Sequence, residues 1–292
     1  MSKTNQSKKY ADPTTENKKI ESGKAENNRT EKNKTGKKEY FGTVCEIQRN
    51  SYNILVENKT IHAKLKGNFF RENEEFPVVG DNVAFLPNEN GDSLITSVCE
   101  RKSVLKRPYA ADHSMDNGKE QVMVANVDYV FIVSSLNDNY NFNRIARYVS
   151  MTLQGNAIPV VILTKADLCS NPGRYASEIE NLSEQVKVHS VSALYGIGMD
   201  ELNKYLQPGK TIAILGSSGV GKSTLVNALV QEDVMKTSEI RESDSKGRHT
   251  TTHRQMIVLL NGARIIDTPG MRELGMCDMD QGIDDTFSVI AE

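Results

Sequence analysis

Thr211-Ile212-Ala213-Ile214-Leu215-Gly216-Ser217-Ser218-Gly219-Val220-Gly221-Lys222-Ser223-Thr224 decides the fold. The first five residues are continuously apolar, as in a strand buried on both faces. They run into a complete G-x-x-x-x-G-K-[ST] signature, and Leu225, Val226, Ala228 and Leu229 continue as an apolar helix. Glycines let backbone N–H groups curl around phosphate oxygens without a Cβ in the way. Lys222 sets a positive charge at the β- and γ-phosphates, the helix N-terminus adds its dipole, and the Ser223 hydroxyl is a ligand for Mg²⁺. Strand, glycine loop and helix together predict a P-loop nucleotide fold, an α/β domain with a mostly parallel sheet. The loop alone does not separate ATP from GTP.

Downstream, Arg264–Ile266 leads into Asp267-Thr268-Pro269-Gly270, a D-x-x-G at the end of an apolar strand. Asp267 is expected to hold Mg²⁺ through water, and the Gly270 N–H to sense the γ-phosphate. Met256–Leu260 and Ala263–Ile266 are joined by Asn261-Gly262, a hairpin turn signal. Between the P-loop helix and this hairpin lies Lys246-Gly247-Arg248-His249-Thr250-Thr251-Thr252-His253. Thr250 or Thr251 would complete the Mg²⁺ shell, and the local sequence does not choose between them.

Upstream, Val160–Leu163 ends in Thr164-Lys165-Ala166-Asp167, an N/T-K-x-D pattern. The Asp167 carboxylate accepts two hydrogen bonds, and the guanine edge offers two adjacent donors where adenine does not. Lys165 is expected to lie along the base plane and steady the P-loop. Thr164 stands where Asn is more usual and keeps a shorter-reaching hydroxyl. Ser192-Ala193-Leu194 follows the next strand, placed for a backbone contact to the guanine carbonyl. The base motif therefore precedes the phosphate loop, the reverse of the ordinary GTPase order. A sheet tolerates such a circular permutation when the old termini lie close together, with residues 195–210 bridging them. Many GTPases place Gln after D-x-x-G to orient the attacking water, whereas Met271 stands here. His249 is the expected substitute, a phosphate or RNA contact or an ordinary loop histidine being the other readings.

Around this domain the chain changes style. Residues 1–38 carry 11 Lys/Arg against 5 Asp/Glu and almost no aliphatic side chain, whereas the rest carries 25 against 33. That composition predicts a disordered basic tail, either an RNA-phosphate contact or a solubilising segment. Residues 39–103 hold five short strand-like runs, Phe41–Ile47, Tyr52–Val56, His62–Leu65, Asn82–Leu86 and Ser93–Cys99. They predict a small all-β barrel of the OB type, with an SH3-like barrel as the alternative. Residues 104–120 read as a linker and 121–292 as the α/β domain. There, strands at Val122–Ser134, Ile158–Leu163 and Val186–Ser190 alternate with helices at Asn143–Gln154 and Tyr175–Glu184.

The chain is 38% apolar and 25% charged, enough to bury a core without staples. Cys45, Cys99, Cys169 and Cys277 are widely spaced, which argues for reduced cytoplasmic thiols and against a disulfide scaffold. No stretch approaches the ~18 apolar residues of a membrane span, and no secretory leader is visible.

The combination resembles the ribosome small-subunit-dependent GTPases, the RsgA or YjeQ family. The resemblance rests on Thr164–Asp167, Gly216–Thr224, Gly247–Thr252, the Asp267–Gly270 motif followed by Met-Arg-Glu-Leu, and the permuted order, over residues 40–292. It implies an OB barrel, a permuted GTPase domain, GTP and GDP as ligands with Mg²⁺, and a monomeric cytoplasmic factor. That factor would act in late maturation of the 30S ribosomal subunit, in contact with 16S rRNA and stimulated by the subunit. The family's zinc module should begin just after Phe287–Glu292, so no zinc site is expected in this chain, by truncation or by natural loss. Two other functions fit the residues less fully. One is an RNA-binding module with GTP as an occupancy signal, and the other is a P-loop ATPase with a chance T-K-A-D.

Overall fold

A computed structural model describes residues 31–32, 38–57, 59–69, 75–88, 90–108, 120–230 and 255–267. Residues 1–30, which hold most of the expected disordered tail, lie outside them. Glu31–Lys32 (β1), assigned to that tail from composition, instead pairs antiparallel with Lys38–Glu39 at the start of the next strand.

The barrel strands are β2 (Lys38–Ile47), β3 (Tyr52–Val56), β4 (Lys59–Leu65), β5 (Asn82–Leu86) and β6 (Ser93–Val98). They run in the order β2-β3-β4-β6-β5 and close by pairing β5 with β2. All ladders are antiparallel except β4 with β6, where Ala63 faces Ser93 and Leu65 faces Ile95 in parallel. The closure and the parallel third-to-fifth contact are the OB arrangement and remove the SH3-like alternative. Val44, Ile54, Phe69, Val83, Phe85 and Ile95 fill the interior. A register shift between Val44 and Glu46 bends β2, and beyond it Glu46 pairs with Gln255 of the second sheet. Cys45 and Leu55, on the outer face, are buried in that domain's core.

The second sheet contains β9 (Tyr129–Ser135), β10 (Ile158–Thr164), β11 (Lys187–Ser190), β12 (Thr211–Leu215), β13 (Gln255–Val258) and β14 (Arg264–Asp267). Their order is β11-β10-β9-β12-β14-β13. Five strands are parallel, and β13 is antiparallel and leads across to β2 of the barrel. Alternate residues enter two cores. Val130, Ile132, Val161, Leu163 and Ala213 face α1 (Phe142–Gln154) and α2 (Pro172–Glu180). Phe131, Val133, Val160, Ile162, Ile212 and Ile214 pack with Leu225 and Val226 of α3 (Lys222–Val230) and with Leu202 and Tyr205. Burial on both sides is why these strands read as unbroken apolar runs.

Three sequence expectations change. Residues 104–108, expected as linker, form β7 (Val104–Pro108), paired antiparallel with β8 (Glu120–Ala125). Leu105 is fully buried there, and Val104 N donates to Gly155 O at 2.9 Å. The apolar run Val122–Ser134 is two strands. Asn126 breaks it with φ 54°, its side chain donating to Gly80 O at 2.9 Å and its N–H to Ser103 O at 2.8 Å. The second helix begins at Pro172 and ends at Glu180, because Asn171 caps it by accepting from Arg174 N and Pro172 presets the first turn.

The barrel is joined to the sheet through the Val78–Asp81 turn. Ala125 N donates to Val79 O at 3.1 Å. Gly80 adopts φ 95°, and a Cβ there would fall 2.0 Å from Ala125 O, so only glycine allows the approach. Fully buried Asp81 accepts from Arg101 Nε and Nη2 at 2.7 and 2.8 Å and from Val78 N at 2.7 Å. No described helix is long and apolar enough to cross a membrane.

Candidate functional site

The parallel strands end on one edge. Thr164 lies opposite Ser135, Leu163 opposite Ser190, Leu215 opposite Ile132 and Asp267 opposite Ile214. The loops that follow them therefore gather at one edge of the sheet, the edge at which open α/β sheets bind ligands.

Gly216–Gly221 follows β12. Gly216 sits so close to β9 that a Cβ would lie 2.4 Å from Val133 O, at φ 152°. Gly219 and Gly221 have φ 75° and 90°. Leu225 N donates to Gly221 O at 2.9 Å, which opens α3 directly from the loop and turns its positive end inward. Lys222 Nζ donates to Gly216 O and Ser217 O at 2.7 and 2.6 Å, so its charge is held at the loop's mouth. Ser217 and Ser223 are half-buried, Ser218 and Thr224 exposed, and Val220 is buried as the loop's apolar anchor.

The T-K-A-D segment meets this loop across 50 or more residues of sequence. Thr164 Oγ1 donates to Val220 O at 2.6 Å, and Lys165 Nζ to Gly219 O at 3.2 Å. Lys165 adopts the left-handed conformation, φ 57° and ψ 37°, which is uncommon and mildly costly for a side-chain-bearing residue. This backbone turns the chain sharply. Ala166 N then donates to Val191 O at 3.1 Å, and Ala166–Leu168 forms a short 3-10 turn that leaves Asp167 exposed.

Ser192 is bridged to Ile197 by reciprocal backbone bonds of 2.9 and 3.0 Å, which make a tight hairpin with Ala193 in its loop. Ser192 Oγ is the buried side-chain polar atom that lacks a hydrogen-bond partner among the described residues. Asp267 ends β14 in a half-buried position. His249, Thr250, Thr251, Gly270, Met271 and Cys277 lie outside the described residues.

Sequence reasoning passed over two supports of the site. Ser135 Oγ donates to Asn137 Oδ1 at 2.6 Å and Asn139 N to the same atom at 3.2 Å, which fixes the β9–α1 loop beside Gly219. An Asn-rich loop after a buried parallel strand was the available signal. On β11, His189 bonds Glu201 Oε2 through Nδ1 at 2.8 Å and Tyr205 OH through Nε2 at 2.9 Å. Burial lowers its pKa below 6.5 while Glu201 pulls the other way. The neutral ring, donating from Nδ1 and accepting at Nε2, satisfies both partners. It ties Asp200–Lys204, within the segment expected to bridge the ancestral termini, to the strand that leads to Ser192.

The RsgA N-terminal domain family matches residues 42–95, and the RsgA GTPase family matches residues 98–277. The small ribosomal subunit biogenesis GTPase RsgA 2 of Listeria monocytogenes serotype 4b is 42% identical over 254 residues, covering 86% of this chain and 70% of that protein. The crystal structure of YjeQ from Thermotoga maritima superposes with a TM-score of 0.62 at 29% identity, covering 81% of this chain and 76% of that one. YloQ, described as a circularly permuted GTPase, shares the fold with a TM-score of 0.58 at 22% identity, over 86% of this chain and 78% of that one. With the T-K-A-D segment ahead of the glycine loop in sequence and hydrogen-bonded to it, the chain belongs to the RsgA family of circularly permuted GTPases.

Proposed function

We propose that this chain binds GTP along the carboxyl edge of its sheet and hydrolyses it to GDP and phosphate during biogenesis of the small ribosomal subunit. One observation carries the reading. Thr164 and Lys165 hydrogen-bond the carbonyls of Val220 and Gly219, which supports reading the expected base-reading segment and the phosphate loop as parts of one nucleotide site. The Listeria relative is named a small ribosomal subunit biogenesis GTPase and is 42% identical to this chain over 254 residues.

The phosphates would lie on the Gly216–Thr224 loop with Lys222 at the β- and γ-oxygens. Asp167 would read the guanine N–H groups, and the Ala193 backbone the carbonyl. Ser223, Asp267 and Thr250 or Thr251 offer oxygen donors only, a set that fits Mg²⁺. That ion would neutralise charge on the phosphate oxygens. His249 would orient the water that attacks the γ-phosphorus as the bond to the β–γ bridging oxygen breaks, and the Gly270 amide would register the loss. The barrel and the basic tail would contact 16S rRNA, with the chain acting as a cytoplasmic monomer.

GTP turnover with and without purified 30S subunits tests this. Acceleration by the subunit is expected. Nucleotide binding with no turnover under either condition would reduce the protein to a GTP-occupied binding module.

A further inference from the structure

The segment after β11 is a loop tied shut at three levels. At its neck, Ser192 and Ile197 exchange backbone bonds of 2.9 and 3.0 Å. Below the neck, Gly198 at φ 72° lies against β11, where a Cβ would fall 2.6 Å from Ser190 O, so the two arms meet because that residue is glycine. At the base, His189 Nδ1 meets Glu201 Oε2 at 2.8 Å and Nε2 meets Tyr205 OH at 2.9 Å. This last tie is made by side chains and closes 12 residues of chain. Tyr205 is buried edge-on against Tyr129 and Phe131 of β9, at ring distances of 5.1 and 5.7 Å, and Leu202 is fully buried in the same core. Glu201 and Tyr205 therefore stand on an anchored 3-10 turn, and His189 on a strand.

The loop needs that tie. Its returning arm carries Gly196 and Gly198, both at positive φ, and enters a 3-10 turn instead of a strand or a regular helix, so no ladder holds it below Gly198. At its other end the loop is bound to the T-K-A-D turn, through Val191 N to Leu163 O at 2.8 Å and Ala166 N to Val191 O at 3.1 Å. His189 lies opposite Ile162, short of the Thr164 end of the sheet, so it acts through the loop and not on a ligand. Resting on the nucleotide reading above, we propose that His189 and Glu201 are positioning residues for the guanine contact. With Tyr205 they keep the base of the loop closed, so that the Ala193 amide is in place before the guanine carbonyl arrives. Ordering the loop in advance lowers the cost of binding the base, and it leaves the phosphate contacts untouched.

The Glu201 side chain is 67% exposed, so it can be replaced without opening the core. Calorimetric titration of the full chain with GDP, and separately with pyrophosphate, which occupies only the phosphate loop, tests the proposal. Glu201→Ala should weaken GDP binding about fivefold, the worth of one ordinary hydrogen bond, with pyrophosphate affinity unchanged. The KM for GTP should rise by the same factor at unchanged kcat. Glu201→Gln, whose amide oxygen still accepts from Nδ1–H, should bind GDP as the parent does. Three results would overturn the positioning role while the parent's GDP binding keeps the nucleotide reading: GDP binding by Glu201→Ala equal to the parent's, an equal loss for GDP and pyrophosphate, or a Glu201→Gln variant as weak as Glu201→Ala. A parent chain that binds pyrophosphate and no guanine nucleotide overturns both.

Discussion

The barrel and the nucleotide sheet bury their strands differently. In the sheet, the inner strands alternate between two cores, and the candidate site residues are left to the loops at one edge. The barrel has one interior, and its outer surface is divided. Lys59–Leu65 is mostly solvent-facing, whereas Cys45, Leu55 and Val79 are buried against the sheet domain. The sheet can thus vary its loops without disturbing its packing, while the barrel is committed on one side to a fixed partner. Three contacts maintain that commitment: the Glu46–Gln255 pairing, the approach of Gly80 to Ala125, and the buried Asp81–Arg101 pair beside it. Gln255 is also where the chain re-enters the sheet after the segment carrying His249, Thr250 and Thr251, so the barrel is braced directly against that return point.

This contrast predicts that edge-loop substitutions lose chemistry and keep the fold, whereas junction substitutions do the reverse. Lys222→Ala should show the largest effect, lowering GTP turnover on the order of a thousandfold with an unchanged melting temperature. A parallel loss of stability would break the distinction. Next, Arg101→Ala leaves the Asp81 carboxylate buried without its cation, which should cost about 3 kcal/mol of stability in denaturant titration. GDP affinity measured well below the melting transition should persist. Asp167→Asn should reduce GTP affinity roughly a hundredfold, because a buried base donor loses its acceptor, while affinity for xanthosine triphosphate rises. Equal loss for both nucleotides would detach Asp167 from base reading.

The smallest effect is a pH dependence. His189 has a depressed pKa in the fold, so the unfolded chain binds its proton more readily. Its contribution is present above about pH 6.5 and is lost as pH falls through the lower folded value. Melting temperatures between pH 7 and 5 should fall less steeply in His189→Gln than in the parent, after allowance for the offset at pH 7.

The P-loop was legible in the sequence because its strand, glycines, lysine and helix are contiguous, and local chemistry dictates each residue. The T-K-A-D segment and the five barrel strands were legible for the same reason. The loop closing β13 and β14 kept its Asn-Gly signal, with only Gly262 at positive φ, 83°, and Gly262 N bonded to Leu259 O at 2.9 Å. Local pattern failed where a distant partner intervened. Asn126 divides an apolar run because Gly80 and Ser103 receive its hydrogen bonds. Val104 and Leu105 leave the expected linker because Gly155 and a buried core await them.

By itself, the amino-acid sequence determined which residues are candidates for the chemistry and in what order they come along the chain. Glycine torsions, a lysine charge and a carboxylate's two acceptors act at the position where they stand. Only the tertiary structure decided that β4 and β6 run parallel in an OB barrel, that Lys165 turns left-handed to reach Gly219, and that the barrel shares its outer face with the sheet. These are contacts between distant segments, set by the packing of the whole chain, and no local run of residues contains them.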